Sequence, residues 1–427
     1  MKQGVGCILF LIVFFHLTAK SQDNLYTSYT TAAARNKLYK NLINNSINKN
    51  LSVALNDSTE DKWEEGFSSL ELLLFRSEVI DKKIKIVFDS IQFRSRDFQR
   101  ALLELAYANY PSVFEKQVTE LLQQTNDPKI FAMAAEYLLQ RNKESDIPDS
   151  IKEIAAKKFY ESPDNPFITM LDSEIREIKF PSKSLIESKN FTDILNNKFL
   201  PGEIVMYSFQ RKNRDYPGIV IIRGRDGKFI KDSSGNIFNV PQLARSISNL
   251  PGYLTNGNTP QGIFWMHGFD VSLSPFIGPS PNIQLSLPFE VSPQKFFNDS
   301  TVNDTAWTKQ LYSKLLPKSF KNYFPMYQSY YAGMAGRTEI IAHGTTVNPE
   351  YYNGKPYYPL TPTQGCLCTK EIWNGKRIET DQQKLVYALL KAGGAYGYCV
   401  VMELDNKQQP VNINELIPII QKSETVK

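Results

Sequence analysis

The sequence predicts an α+β protein in two parts, an all-helical N-terminal region followed by a mostly antiparallel β-rich region. Three observations predict it. Between about Thr59 and Tyr160 apolar residues recur at helical spacing. After Pro201 the pattern changes to short β-branched and aromatic runs divided by turn residues. At 427 residues the chain exceeds one ordinary domain. The expected boundaries are 1–21 as a signal peptide, 22–195 as a helical domain, 196–410 as the β-rich domain and 411–427 as a C-terminal tail.

The first 21 residues have the layout of an export signal. Lys2 supplies the positive start, Cys7 to Leu17 is almost wholly apolar, and Ala19-Lys20-Ser21 is a small-x-small cleavage site. This predicts secretion across the inner membrane and a periplasmic or cell-wall location, with an uncleaved anchor as the alternative. No later run reaches the ~18 continuous apolar residues of a spanning helix, so no stable membrane span is expected after cleavage. The formal charge of +5 drops by two with Lys2 and Lys20. So weak a balance argues against nucleic-acid binding.

In the helical region Asp97 precedes the stripe Phe98, Ala101, Leu102, Leu105 and Ala106, which Tyr110-Pro111 ends. Phe114, Val118, Leu121 and Leu122 form the next stripe. Asp127-Pro128 opens a third with Ile130, Ala134, Tyr137 and Leu138, proline lying where a first turn tolerates it. The restart every ~30 residues suggests a HEAT-like solenoid, with an irregular bundle as the alternative. Its charges have the spacing of solvated faces, so the region is expected to present a surface to a protein partner or to the next domain. Pro163 to Pro166 and the polar stretch up to Leu200 read as a linker.

In the second region Ile204–Tyr207 and Pro217–Ile222 read as strands, and Asp226-Gly227 signals a hairpin into Phe229-Ile230. Gly262–Met266 and Thr338–Ala342 are further strands. Thr380-x-x-Gln383 caps a helix with the stripe Leu385, Ala388, Leu389 and Ala392, and Gly393-Gly394 stops it before the strand Tyr398–Met402.

Without the signal peptide the chain keeps three cysteines (Cys366, Cys368, Cys399) and two histidines (His267, His343). An exported chain with three cysteines keeps at least one free thiol, and a Cys368–Cys399 disulfide would leave Cys366 as that thiol. Cys-x-Cys spacing and two histidines do not make a zinc pattern, and no metal or organic cofactor is expected. The chemistry concentrates in His343-Gly344-Thr345 and Thr363-Gln364-Gly365-Cys366. An ordinary thiol pKa of ~8.5 leaves little thiolate at neutral pH, and His343 is the candidate base. Gly365 would admit a substrate carbonyl, with N–H groups of Gly365 and Cys366 facing the oxyanion. Thr363 would orient His343 or donate to substrate, and Gly344 would serve turn geometry. Taken singly, Cys366 would read as an inert buried thiol. His267, after Trp265 and Met266, reads as packing.

Together with Thr259-Pro260-Gln261-Gly262-Ile263-Phe264, these motifs resemble the L,D-transpeptidase (YkuD-like) catalytic domain family, whose signature is His-Gly-Thr followed by Ser/Thr-x-Gly-Cys. The resemblance spans roughly the C-terminal half. It implies a β-sandwich with the nucleophile at the mouth of a groove, and peptidoglycan stem peptides as partners. Cys366 would expel the terminal D-alanine of a tetrapeptide stem, forming a thioester that an amine of a second stem resolves. The site residues are then Cys366, His343, Thr363 and Gly365 as catalytic, and Gly344, Thr345, Gln364, Tyr357 and Tyr358 as substrate-binding. The chain departs from the family at Gln364, at Cys368 and in its long His-to-Cys spacing, read as an insertion from Pro349 to Pro359. The insertion's tyrosines would pack the loop or cover a glycan or peptide stem. A hydrolase with water as acceptor and an inactive cell-wall scaffold remain open. A sortase has a longer His-to-Cys separation, and papain-like wall peptidases place Cys before His.

Overall fold

The computed structural model describes residues 32–181, 191–345, 347–373 and 378–425. The signal peptide lies outside the described residues. The fold is α+β. The N-terminal helices are α1 (Ala32–Asn41), α2 (Glu60–Leu72), α3 (Glu78–Phe88), α4 (Arg96–Asn109), α5 (Glu115–Gln124), α6 (Pro128–Leu139), α7 (Ile147–Lys158) and α8 (Pro166–Lys179). Asp127 caps α6 as expected, accepting the N–H groups of Lys129 and Ile130. At α4 the cap is Ser95, which accepts from Phe98 N–H, and Asp97 lies inside the first turn.

The linker expectation fails at α8. Asn165 accepts from the N–H groups of Phe167 and Ile168, Pro166 sits in the first turn, and Phe167, Met170, Leu171 and Ile175 are buried. Asn-Pro opened a helix there rather than a turn, because Asn serves both as turn former and as N-cap. Part of the expected linker, 182–190, lies outside the described residues.

The strands are β1 (Ile204–Gln210), β2 (Gly218–Arg223), β3 (Val240–Gln242), β4 (Gly262–Asp270), β5 (Asn282–Ser286), β6 (Ile341–Gly344), β7 (Leu367–Thr369), β8 (Glu371–Trp373), β9 (Ile378–Thr380) and β10 (Tyr396–Glu403). Eight of them form one sheet in the order β3-β2-β1-β10-β4-β5-β6-β7. Its pairings are antiparallel except β1 with β10 and β6 with β7. The two ends meet. Leu243, just after β3, exchanges N–H···O bonds of 2.7 and 2.8 Å with Cys368 on β7, so the sheet curls into a near-barrel.

Both faces of the sheet are covered. Val205, Tyr207, Phe209, Ile263 and Val400 join a single apolar core with α2 to α8, while Met206, Val220, Phe264, Leu367 and Cys399 pack with Leu385 and Leu389 of the helix Asp381–Ala392. The helical and β-rich parts therefore share one core. The C-terminal segment is part of it rather than a tail. Leu416 and Ile420 are buried in the same cluster, and the buried Arg211 pairs with both Asp405 and Glu415.

The three described cysteines are free. Cys368 on β7 and Cys399 on β10 stand four strands apart in either direction around the ring. Facing sheets lie ~10 Å apart, beyond the ~7 Å Cα separation that a disulfide tolerates. The expected Cys368–Cys399 pairing is thereby corrected.

Candidate active site

The parallel pair β6–β7 builds the centre of the site. Its register sets Ala342 beside Leu367 and His343 beside Cys368. Side chains alternate along a strand, so His343 and Cys366 share one face on a diagonal, ~8 Å apart at Cα from the usual strand spacing and rise. Parallel neighbours cannot be joined by a tight hairpin, and the long His-to-Cys spacing is the crossover they require.

Cys366 lies on the turn before β7 and is partly exposed. Its sulfur accepts the Ile341 N–H at 3.5 Å, and its thiol points at the Glu339 carbonyl, 3.6 Å away. Burial pushes the thiol pKa up, the Ile341 N–H and the Arg337 charge pull it down, and Glu339 pushes it up again. The turn is braced at three points. Thr363 Oγ1 donates to the Cys366 carbonyl at 2.9 Å and accepts the Gly365 N–H at 3.1 Å, while Thr259 Oγ1 donates to the Gly365 carbonyl at 2.8 Å. Gly365 has φ +112°. A Cβ there would overlap the Arg337 guanidinium and the Gly257 carbonyl, so both torsion and space require glycine.

His343 is buried, and its Nδ1 hydrogen-bonds the Gly344 carbonyl. A carbonyl only accepts, so Nδ1 carries the hydrogen and Nε2 is left as the acceptor. Burial pulls the imidazole pKa down, against the Gly344 carbonyl, which raises it. At neutral pH the pair is thus thiol and neutral imidazole. No hydrogen bond joins the two side chains among the described residues, a looseness common before substrate binds.

Other expected site residues fall on both sides of the surface. Gln364 is exposed next to Cys366, and Tyr358 is exposed with its hydroxyl on Glu350. Thr363 braces the turn, so it does not orient His343, and because it occupies the Gly365 N–H, only the Cys366 N–H is left of the two expected oxyanion donors. Thr345 is buried, its hydroxyl given to the Phe276 carbonyl. Gly344 accepts the Gly278 N–H at 2.8 Å and so fixes the turn after β6. Tyr357 is buried under the Arg245 guanidinium, 4.9 Å from its ring centroid, and with Tyr352 it packs against Leu42 and Leu72 of the helical part. It is core, not platform.

Two residues that the sequence did not single out stand against these motifs. Arg337 lies buried behind Gly365, and Glu371 is wedged against Gly278 and Gly344, where a Cβ on either glycine would strike its carboxylate. Burial pushes the Glu371 carboxyl up to about 7 despite hydrogen bonds from Ser280, and its Oε2 has no partner among the described residues. A separate cavity of about 830 Å3 lies between α6, α8 and the sheet, lined by Glu136, Glu174, Lys212, Arg214, Thr259 and Glu403. Neither Cys366 nor His343 lines it. Among the described residues no cluster of three or more His, Cys, Asp or Glu side chains could hold a metal ion, and no helix is long and apolar enough to cross a membrane.

The buried thiols Cys368 and Cys399 are pushed far above their ordinary pKa by desolvation. Alkylation of the native, signal-free chain without reductant is therefore expected to add one label, on Cys366, and three after denaturation. Intact mass measures it, and two or three labels on the native chain would overturn the burial argument. No protein-family model, curated protein or solved structure matches the chain.

Proposed function

We propose that the chain is an exported cysteine acyltransferase of the L,D-transpeptidase type, acting on peptidoglycan stem peptides. The observation that carries this reading is the accessible Cys366 thiol on a braced glycine turn, on the same strand-pair face as a neutral His343 whose tautomer leaves Nε2 free to take a proton. In the reaction Nε2 removes the thiol proton as sulfur attacks the stem carbonyl. The Cys366 N–H faces the developing oxyanion, and the imidazolium returns the proton to the departing amine. The resulting thioester is then resolved by a second amine. The sandwich-with-groove fold and a HEAT-like pairing of the helices belong to the same proposal, as does a periplasmic or cell-wall location. The substrate class rests on the motif resemblance; the Cys/His acyl transfer rests on the site.

The test is mass spectrometry of purified peptidoglycan after incubation with the chain. New 3-3 linked dimers are expected, absent with Cys366→Ala and reduced ~10²–10⁴-fold with His343→Ala, the usual contribution of a general base. Shortened stems without dimers would assign water as the acceptor. Unchanged muropeptides with a demonstrably free Cys366 would sink the acyltransferase reading and favour a scaffold.

A further inference from the structure

We infer that Arg337 is the charge partner of the Cys366 thiolate, a positioning residue that acts from behind the Gly365 turn. Arg337 is buried. Its Nη1 donates to the carbonyls of Gly252 and of Asn258, the latter at 2.7 Å, and its Nη2 donates to that of Gly257 at 3.0 Å. All three acceptors are neutral. Among the described residues Arg337 makes no ion pair; of the other buried guanidiniums, Arg211 has two carboxylates, while Arg223 is held by backbone carbonyls alone and lies under Leu195 to Leu200, away from any thiol. A buried cation without an anion is costly, and an anion that forms beside it offsets that cost.

The geometry leaves one such place. The guanidinium packs so closely on Gly365 that a Cβ there would strike Nη2, and the next residue is Cys366. The other titratable groups around the sulfur are His343 on β6, Cys368 on β7 and Glu339 beneath the thiol. His343 is neutral, Cys368 is held as thiol, and Glu339 opposes ionisation. Arg337 is the cation acting on Cys366, and the influence is mutual, since the thiolate in turn raises the guanidinium pKa.

The carbonyl cage is itself held from outside the β-rich region. Within the 249–258 loop, Tyr253 donates to Glu136 of α6 at 2.7 Å and Asn256 to Glu104 of α4 at 3.1 Å, while Lys129 of α6 donates to Thr255 at 2.6 Å. The helices thus set where Arg337 sits, and Arg337 sets how readily Cys366 ionises.

This inference rests on Cys366 as the nucleophile, but its readout is thiol chemistry without a wall substrate, so a failure to cross-link peptidoglycan leaves the test intact. The measurement is the rate of Cys366 alkylation by iodoacetamide against pH in the whole chain. Arg337→Gln is expected to raise the midpoint by about one unit and to slow reaction at pH 7 by about tenfold, and Arg337→Lys to stay within about threefold of the wild type. An unchanged midpoint in Arg337→Gln overturns the inference, as does an Arg337→Lys variant as slow as the Gln one, which would assign the effect to shape. If Arg337→Gln does not fold, the wild type decides. An anionic sulfonatoethyl methanethiosulfonate should modify Cys366 faster than the cationic trimethylammonium reagent, each scaled to free cysteine. A scaled ratio of one or less overturns the inference.

Discussion

Replacing Gly365 by alanine is expected to silence Cys366 while leaving its sulfur in the chain. The new Cβ meets the Arg337 guanidinium and the Gly257 carbonyl, and the residue must also hold φ +112°. The torsion alone costs roughly 1–3 kcal/mol. The overlap adds to it, because the guanidinium is held in place by three carbonyls. The turn relaxes by swinging Cys366 off the Ile341 N–H, and the thiol loses its bracing through Thr363 and Thr259 together. Alkylation at pH 7 should fall at least about tenfold, and the melting temperature by several degrees. Gly235→Ala is the control, since Gly235 has φ +82° with nothing near its Cβ position. A Gly365→Ala chain that melts like the control and reacts like the wild type would refute the account of the turn.

The second large effect concerns the helical half. Residues 196–427 expressed alone are expected not to fold. Tyr207, Phe209, Tyr253, Ile263 and Val400 lie in the core that α2 to α8 complete, and removing those helices opens an apolar sheet face to water. The tie of Tyr352 to the Leu72 carbonyl is lost as well. Each of these large side chains gives up roughly 1.5–3 kcal/mol of burial, and the five together give up about as much as the ~5–15 kcal/mol by which a domain is stable. The fragment should show no cooperative melt and should expose all three thiols to alkylation. A cooperative melt with one labelled cysteine would instead establish the β-rich part as an independent domain.

Much of this was legible in the sequence where the signal is local. Asp127-Pro128 and Thr380 announce helix starts through their own side chains, and both cap as expected. The strand leading into His343 follows from a short apolar run, whereas the strand after Cys366 is too short to show a pattern, and Gly365 was read for substrate access rather than for its positive φ. Direction was not legible. Thr345 and Tyr357 lie close in sequence to the reactive residues yet turn inward, since nothing short of the packed fold says which way a loop side chain points. Thr363 was misjudged because a hydroxyl two residues from a glycine finds its partners within its own turn. Arg337 and Glu371 gave no signal at all. Each matters through a contact with a glycine made only when distant strands meet, and a lone Arg or Glu in a polar stretch reads as surface. Helix α8 was lost for the opposite reason, a strong local cue with two meanings.

The ladder between β6 and β7 carries a lesson for recognising chains of this kind. Ile341 to Gly344 and Leu367 to Thr369 are held by strand register, and everything between them is a crossover whose length the register does not fix. Gaps can therefore grow or shrink at the exposed 353–356, between the buried Tyr352 and Tyr357, without moving imidazole or sulfur. A search that weights the distance between the two motifs penalises such lengthening, although it is neutral for the chemistry. A profile that scores the two strands as one paired unit, with a free gap and the buried arginine preceding the first, would gather sequences by the geometry they preserve.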